Sequence, residues 1–330
     1  GVCDSCHLVH NASGQKLRAT HRQPDIPYMK NWCQDCHRQD GIARDKVISQ
    51  HSHPLGITPD TFQAERSPLP LFSPEGKKSS KQGLIDCTTC HDPHRWAEPS
   101  LPSDKSPSSD KKENLHASFL RLPVAGDSLL CLECHKKQGL VSGTDHDMRL
   151  ENAHSTNILG MNTQESGLCG QCHTMHSPTL ENSLWAMNPG DGNNVKTRQC
   201  TSCHSKTGMA KDKTPEHLMH PESVAVWSDA TRQNYHQNEA TPDLPVHDLK
   251  GMEQSKGQIT CASCHNPHQW DPHKAEAGSG RNEEGDALSS FLRNANTEGI
   301  VCADCHGKDA LFRYKYFHGA RSREAHPLYR

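Results

Sequence analysis

All sixteen cysteines of this 330-residue chain fall into one pattern. They form eight C-x-x-C pairs, and a histidine follows each pair at once. In the first half these are Cys3, Cys6 and His7; Cys33, Cys36 and His37; Cys87, Cys90 and His91; and Cys131, Cys134 and His135. In the second they are Cys169, Cys172 and His173; Cys200, Cys203 and His204; Cys261, Cys264 and His265; and Cys302, Cys305 and His306. With 25 histidines in the chain, eight trailing histidines by chance have a probability of order 10⁻⁹. A disulfide framework makes no demand on the residue after the second cysteine. A zinc ribbon uses two C-x-x-C pairs per metal, and a thioredoxin-like pair occurs once, near a βαβ pattern.

Haem c attachment needs all three residues at this spacing. Two thioethers fasten the haem vinyl groups, and the adjacent histidine turns inward as the proximal iron ligand. One short helical turn places the three groups on one side of a porphyrin. The expectation is eight covalent haems c, with the sixteen cysteines as thioether anchors and His7, His37, His91, His135, His173, His204, His265 and His306 as proximal ligands. Such attachment takes place outside the cytoplasm. The missing signal peptide is read as cleaved, which suits a start at Gly1 two residues before Cys3.

Composition points the same way. Leu, Ile, Val and Phe together are 50 residues, or 15 % of the chain, and aromatics are 5 %. Below about 20 % a chain struggles to offset its ordering entropy. One haem per about 41 residues supplies the apolar interior that the side chains lack. No apolar run approaches the ~20 residues of a membrane span. The formal charge of −3 gives no electrostatic case for nucleic acid.

The chain is an internal repeat. The first four motifs recur at offsets of 166, 167, 174 and 171, counted between first cysteines. The flanks recur too: Cys-x-x-Cys-His-x-Pro-His-x-Trp at Cys87 and at Cys261, and Ser-Phe-Leu-Arg at Ser118 and at Ser290. Two tetrahaem units follow, residues 1–160 and 161–330, with the boundary near 157–164. Low-complexity stretches at 98–114 and 271–286 read as exposed loops. No window sustains strand alternation or a long helical stripe. The expected fold is mostly coil with short helices and almost no sheet, wrapped around a stacked haem chain.

Seventeen histidines remain after the proximal eight. A distal iron ligand should recur in both halves, and five pairs do: His10/His176, His53/His220, His94/His268, His146/His318 and His154/His326. His21, His51, His116, His217, His236, His247 and His273 have no clean counterpart. His10 stands three residues after His7 on the same turn, so it cannot reach the opposite face of the haem that His7 holds. It must serve a neighbour if it serves any, and the same holds for His94, His176 and His268. The eight methionines show no matching repeat, so bis-His ligation is expected over Met.

The sequence resembles multihaem c-type cytochromes carrying the doubled C-x-x-C-H motif, through Cys87–His135 and Cys261–His306. It is also similar, in haem density and scarce regular structure, to the members that polymerise into extracellular filaments. The resemblance implies electron transfer between redox proteins or extracellular acceptors, by an exported protein at the cell surface or outside the cell. A monomeric periplasmic shuttle is the alternative. An octahaem reductase of nitrite, hydroxylamine or a sulfur oxyanion is a further one, although its substrate iron is usually marked by an altered motif and all eight motifs here are ordinary. Self-association is expected head to tail, with His326 or His318 ligating a haem of the next subunit.

Overall fold

The computed structural model describes residues 3–13, 15–19, 28–46, 52–60, 67–79, 83–94, 119–150, 155–214 and 244–268, together with Phe291 and Arg293. The eighth motif, made by Cys302, Cys305 and His306, lies outside these residues. So do the candidates His154, His220, His318 and His326, and both low-complexity stretches. The described chain is mostly coil. Its helices are short: α1 (Tyr28–Gln34), α2 (Cys87–Cys90), α3 (Leu129–Leu132), α4 (Thr163–Gly170), α5 (Val195–Thr201) and α6 (Cys261–Cys264). Sheet is confined to two hairpins, β1 (Leu71–Phe72) with β2 (Lys78–Ser79) and β3 (Val246–His247) with β4 (Glu253–Gln254).

The two hairpins are one device used twice. Leu71 pairs with Ser79 and Val246 with Gln254, both antiparallel. Each first strand then bridges onward, Phe72 to Leu84 and His247 to Gln258, and so delivers the chain into the next motif helix. That helix is capped alike in both halves. Asp86 with Thr89 and Thr260 with Ser263 form reciprocal capping boxes, which satisfy donors that a one-turn helix would leave open.

All seven described motifs close with the same backbone bond, from the histidine N–H to the carbonyl of the first cysteine, at 2.9–3.0 Å. The bond makes one helical turn, which sets both sulfurs and the imidazole on one side. In several motifs the second cysteine tightens the turn by donating to that same carbonyl. Cys172 does so to Cys169 at 3.2 Å, as Cys6 does to Cys3 at 3.1 Å and Cys134 to Cys131 at 3.2 Å. A further bond recurs on the other side of the turn. The carbonyl of the second cysteine accepts from Ala19 at Cys6, Ala43 at Cys36, Arg121 at Cys90, Ala210 at Cys203 and Arg293 at Cys264, at 2.8–3.0 Å.

Phe-Leu-Arg recurs for the same reason. Phe119 and Phe291 both hold positive φ, 62° and 59°, and their carbonyls accept from Asp92 and Asn266. The left-handed backbone is costly for a bulky residue, and it recurs at the same place in each half. The arginine two residues on then donates Nε to a carbonyl inside the motif turn, Thr88 or Ala262, at 2.8 Å.

The packing forms two compact units. One comprises Gly1–His135 with Glu165–Leu184, the other Lys136–Gln164 with Trp185–Arg330. The fifth motif, with Cys169, Cys172 and His173, therefore packs with the first four rather than opening the second unit as the repeat implies. Leu168 N–H donates to the Gly126 carbonyl and Cys169 N–H to the Ser128 hydroxyl, which holds that segment in the first unit. In the second, Ile158 N–H donates to the Ala186 carbonyl and Lys213 pairs with Asp145. The sequence repeat divides the motifs four and four, whereas packing groups the seven described motifs five and two.

Apolar packing is thin. Among the described residues the packed apolar cluster is Phe72 with Trp32 against it. Polar groups fill buried places instead: Arg18, Asn194 and Asp147 are each at most 1 % exposed. Arg18 is bonded to Asn31 and Asp35, and Asn194 to the Asp248 carbonyl and to Gln258.

The turn after the second and sixth motifs returns so tightly that only glycine fits. A Cβ at Gly41 would stand 2.1 Å from the Cys36 carbonyl oxygen, and one at Gly208 2.0 Å from that of Cys203. Gly41→Ala and Gly208→Ala should each destabilise the protein by about 2 kcal/mol or more, read as a lowered thermal midpoint. An unchanged midpoint in both would show that these turns do not bear on stability.

Candidate metal centres

Four motif histidines face a second histidine at one common spacing. Ring centroids stand 6.2 Å apart for His7 and His94, 6.2 Å for His91 and His176, 6.2 Å for His53 and His135, and 6.2 Å for His146 and His204. The angles between ring planes are not common: 24°, 21°, 74° and 56° in the same order. Direct ring packing couples separation to tilt, because a ring is thinner than it is wide. The contacts of His146 with Phe291 at 4.4 Å and of His7 with Trp32 at 5.2 Å are of that ordinary kind.

A metal held between two imidazoles would fix their spacing and leave their rotation free. Metal–imidazole bonds measure about 2.0–2.1 Å. The ring centre lies roughly 1.1 Å behind the ligating nitrogen, so imidazoles facing each other through one metal stand about 6.3 Å apart between centres. The 6.2 Å centroid separations of the four pairs match the spacing that an iron between them would require. Among the described residues, no group of three or more His, Cys, Asp or Glu side chains is arranged to hold a bare metal ion. The repeating unit is a pair of imidazoles beside two thiols.

Backbone carbonyls set the ring orientation. His7 Nδ1 lies 2.7 Å from the Lys16 carbonyl, His37 Nδ1 3.2 Å from that of Lys46, and His173 Nδ1 2.6 Å from that of Ser183. Each carbonyl comes from the loop nine or ten residues on. With the proton held on Nδ1, the Nε2 lone pair is left for a metal. The loops after the first and fifth motifs share one construction. Leu8 donates to Leu17 and Thr174 to Leu184, each across a left-handed leucine.

The facing histidines are positioned just as locally. Asp92 and Asn266 accept from the backbone N–H of His94 and His268, two residues on, in matching Asx turns. Asp92 also pairs with Arg121 at 3.0 Å and lies 3.5 Å from His94 Nδ1. His53 donates its N–H to the Met175 carbonyl, and Ser52 bridges to His176, so two facing histidines share one short antiparallel contact. His146 sits on a turn braced by the Asp147–Arg149 ion pair at 2.7 Å. Burial, then the facing His204, pushes the His146 ring down to about 4, and burial lowers His53 and His135 as well. Such rings are neutral at pH 7, the form that ligates.

The thiols of successive motifs meet in two alternating ways. First cysteines share a side-chain hydrogen bond between the second and third motifs (Cys33, Cys87), the fourth and fifth (Cys131, Cys169), and the sixth and seventh (Cys200, Cys261). Second cysteines lie close enough for charge on one to raise the other between the first and second motifs (Cys6, Cys36) and the third and fourth (Cys90, Cys134). Cys172, the second cysteine of the fifth motif, is half-buried beside its own motif turn. The fourteen described cysteines form no disulfide, and Cys302 and Cys305 lie outside the described residues.

Of the distal candidates, His53, His94, His146 and His176 are thus brought opposite a motif histidine. His10 is exposed, and His268 occupies the same turn as His94 in the other half. His247 is buried, with Nδ1 3.1 Å from the Thr260 hydroxyl, where it ties β3 to the helix cap. The carbonyls of Lys16, Lys46 and Ser183 escaped the sequence reading, since a carbonyl leaves no residue-type signature. Asp92 and Arg121 carried one, the recurrence of their segments. No helix among the described residues is long and apolar enough to cross a membrane. Comparison with protein-family models, curated proteins and solved structures gives no match to this chain.

Proposed function

We propose that the protein is an octahaem c-type electron carrier in which each iron is held between two histidines. The observation that carries this reading is the common 6.2 Å spacing of four imidazole pairs whose ring angles range from 21° to 74°. Each pair contains one C-x-x-C-H histidine and one histidine that the repeat also singles out, which supports reading the pairs as ligands.

The chain's part is to anchor, orient and space. The cysteines would take thioether bonds, and the paired Nε2 atoms would close both axial positions. Bound haem iron supplies one-electron chemistry, and two histidine ligands favour lower potentials than Met/His. Adjacent cysteines of consecutive motifs bring the attachment points together in sequence order through the first five motifs and again from the sixth to the seventh. Two axial histidines leave no position for a substrate, which supports a carrier over a reductase. Because haem c is attached outside the cytoplasm, the protein is an exported one, acting at the cell surface, outside the cell or in the periplasm. Its partners are other redox proteins or extracellular acceptors, and further copies of itself in a head-to-tail filament.

Intact mass should show eight haems per chain, and electron paramagnetic resonance should show low-spin ferric iron. Seven haems, or a stoichiometric high-spin signal in assembled protein, would overturn the assignment. Redox titration should spread over a broad range of low potentials, because charges on neighbouring sites interact. A single sharp high-potential wave would contradict both the ligation and the spacing. His94→Ala should keep eight haems and convert one in eight irons, the one behind His7, to high spin. An unaltered low-spin spectrum would show that His94 is not its ligand.

A further inference from the structure

The third and seventh motifs sit in one frame, built twice. Asp92 and Asn266 donate their N–H to the carbonyls of Phe119 and Phe291, at 2.7 and 2.8 Å. Arg121 and Arg293 donate theirs to the second-cysteine carbonyl, at 2.8 Å in both. Each arginine adds an Nε bond to the motif turn, again at 2.8 Å in both. The side-chain oxygen of Asp92 accepts from the His94 N–H at 3.1 Å, and that of Asn266 from the His268 N–H at 3.0 Å. Within this shared geometry the residue straight after the motif histidine differs by one charge: Asp92 follows His91, and Asn266 follows His265.

Asp92 stands between two candidate sites. It adjoins His91, and its Oδ1 lies 3.5 Å from Nδ1 of His94, whose ring faces His7. Its Oδ2 is held by Arg121 Nη1 at 3.0 Å, and its side chain is 15 % exposed. The arginine itself does not distinguish the repeats, since Arg293 makes the same clamp in the other. Arg293 is met by the charge of Glu253, on the exposed strand β4, where water and salt screen it. A fixed anion beside a metal site opposes the electron that reduces it. A carboxylate beside the outer nitrogen of a ligating imidazole also makes that ligand more basic. Both effects favour the oxidised metal.

We propose that Asp92 is a potential-setting residue shared by two sites: its carboxylate holds the iron of His91 and the iron between His7 and His94 at lower potential, and Asn266 leaves the iron of His265 higher. The inference rests on reading the facing pairs as haem ligands, and it adds a direction to the electron transfer. Electrons are drawn away from the sites beside Asp92 and toward the site beside Asn266. Two repeats with the same local frame thereby become electrically unequal. No bond forms or breaks and no proton moves, because the residue acts through its fixed charge. Asp92 is a positioning residue that acts on each iron through a histidine.

The second repeat supplies the control. Asn266 makes the same turn and keeps the same arginine bond, so Asp92→Asn removes the charge and leaves the frame. Redox titration of the haem-loaded full chain, followed by visible absorbance, should show two-eighths of the amplitude moved to higher potential in this variant. The change should be roughly three- to tenfold in the reduction equilibrium, or ~30–60 mV. The reciprocal Asn266→Asp should move at least one-eighth of the amplitude to lower potential by a similar factor. Both variants should carry eight haems by mass and stay low-spin by electron paramagnetic resonance. A titration of Asp92→Asn that superimposes on that of the unsubstituted chain would overturn the proposal, as would an upward shift in Asn266→Asp. Loss of a haem or a high-spin signal in Asp92→Asn would overturn it too, since Asp92 would then hold the frame rather than set a potential. Fewer than eight haems, or high-spin iron, on the unsubstituted chain would instead overturn the ligand reading beneath it.

Discussion

A gap of fixed width between two imidazoles governs the arrangement of this chain. Four histidine pairs hold a centroid spacing of 6.2 Å while their planes turn freely. Side-chain packing would close such gaps, because apolar burial and dispersion both favour contact. A chain with 15 % Leu, Ile, Val and Phe has little else to place in its interior. Loops, caps and buried polar groups are consistent with a polypeptide that frames a filling rather than making one.

Framing of this kind relies on backbone geometry more than on side-chain bulk. The histidine N–H closes each motif turn, and the second-cysteine carbonyl ties several of those turns to a downstream segment. Arg121 and Arg293 reach back into the turn, and Asp92 and Asn266 set the direction of the histidine two residues on. These are short-range devices, and each costs little conformational entropy beyond the loop it closes. They explain how a chain with so little regular structure builds the same local turns in both repeats.

What was legible of the candidate site in the sequence is what depends on spacing. The C-x-x-C-H turn dictates one side for three groups, so His10, His94 and His176, three residues past a motif histidine, cannot reach the opposite face of whatever that histidine would hold. The structure places His94 opposite His7 and His176 opposite His91, in keeping with that limit. Which partner each would meet was not legible, since it depends on how distant segments pack. The packing of the fifth motif with the first four has the same origin: Cys169 and Cys172 go with the segment that sets His176 opposite His91. The hairpins escaped notice because two-residue strands are too short to show alternation. Phe-Leu-Arg was visible as a recurrence, but its reason, a left-handed phenylalanine and an arginine clamp, needed the backbone.

A density map of the haem-loaded protein at side-chain resolution tests the account most directly, at the gap between His91 and His176. The account predicts a porphyrin lying across that gap, continuous with the sulfurs of Cys87 and Cys90, with both Nε2 atoms about 2.0 Å from its iron. Rings of His91 and His176 in direct contact, or any other side chain at the sixth position of that iron, would contradict it.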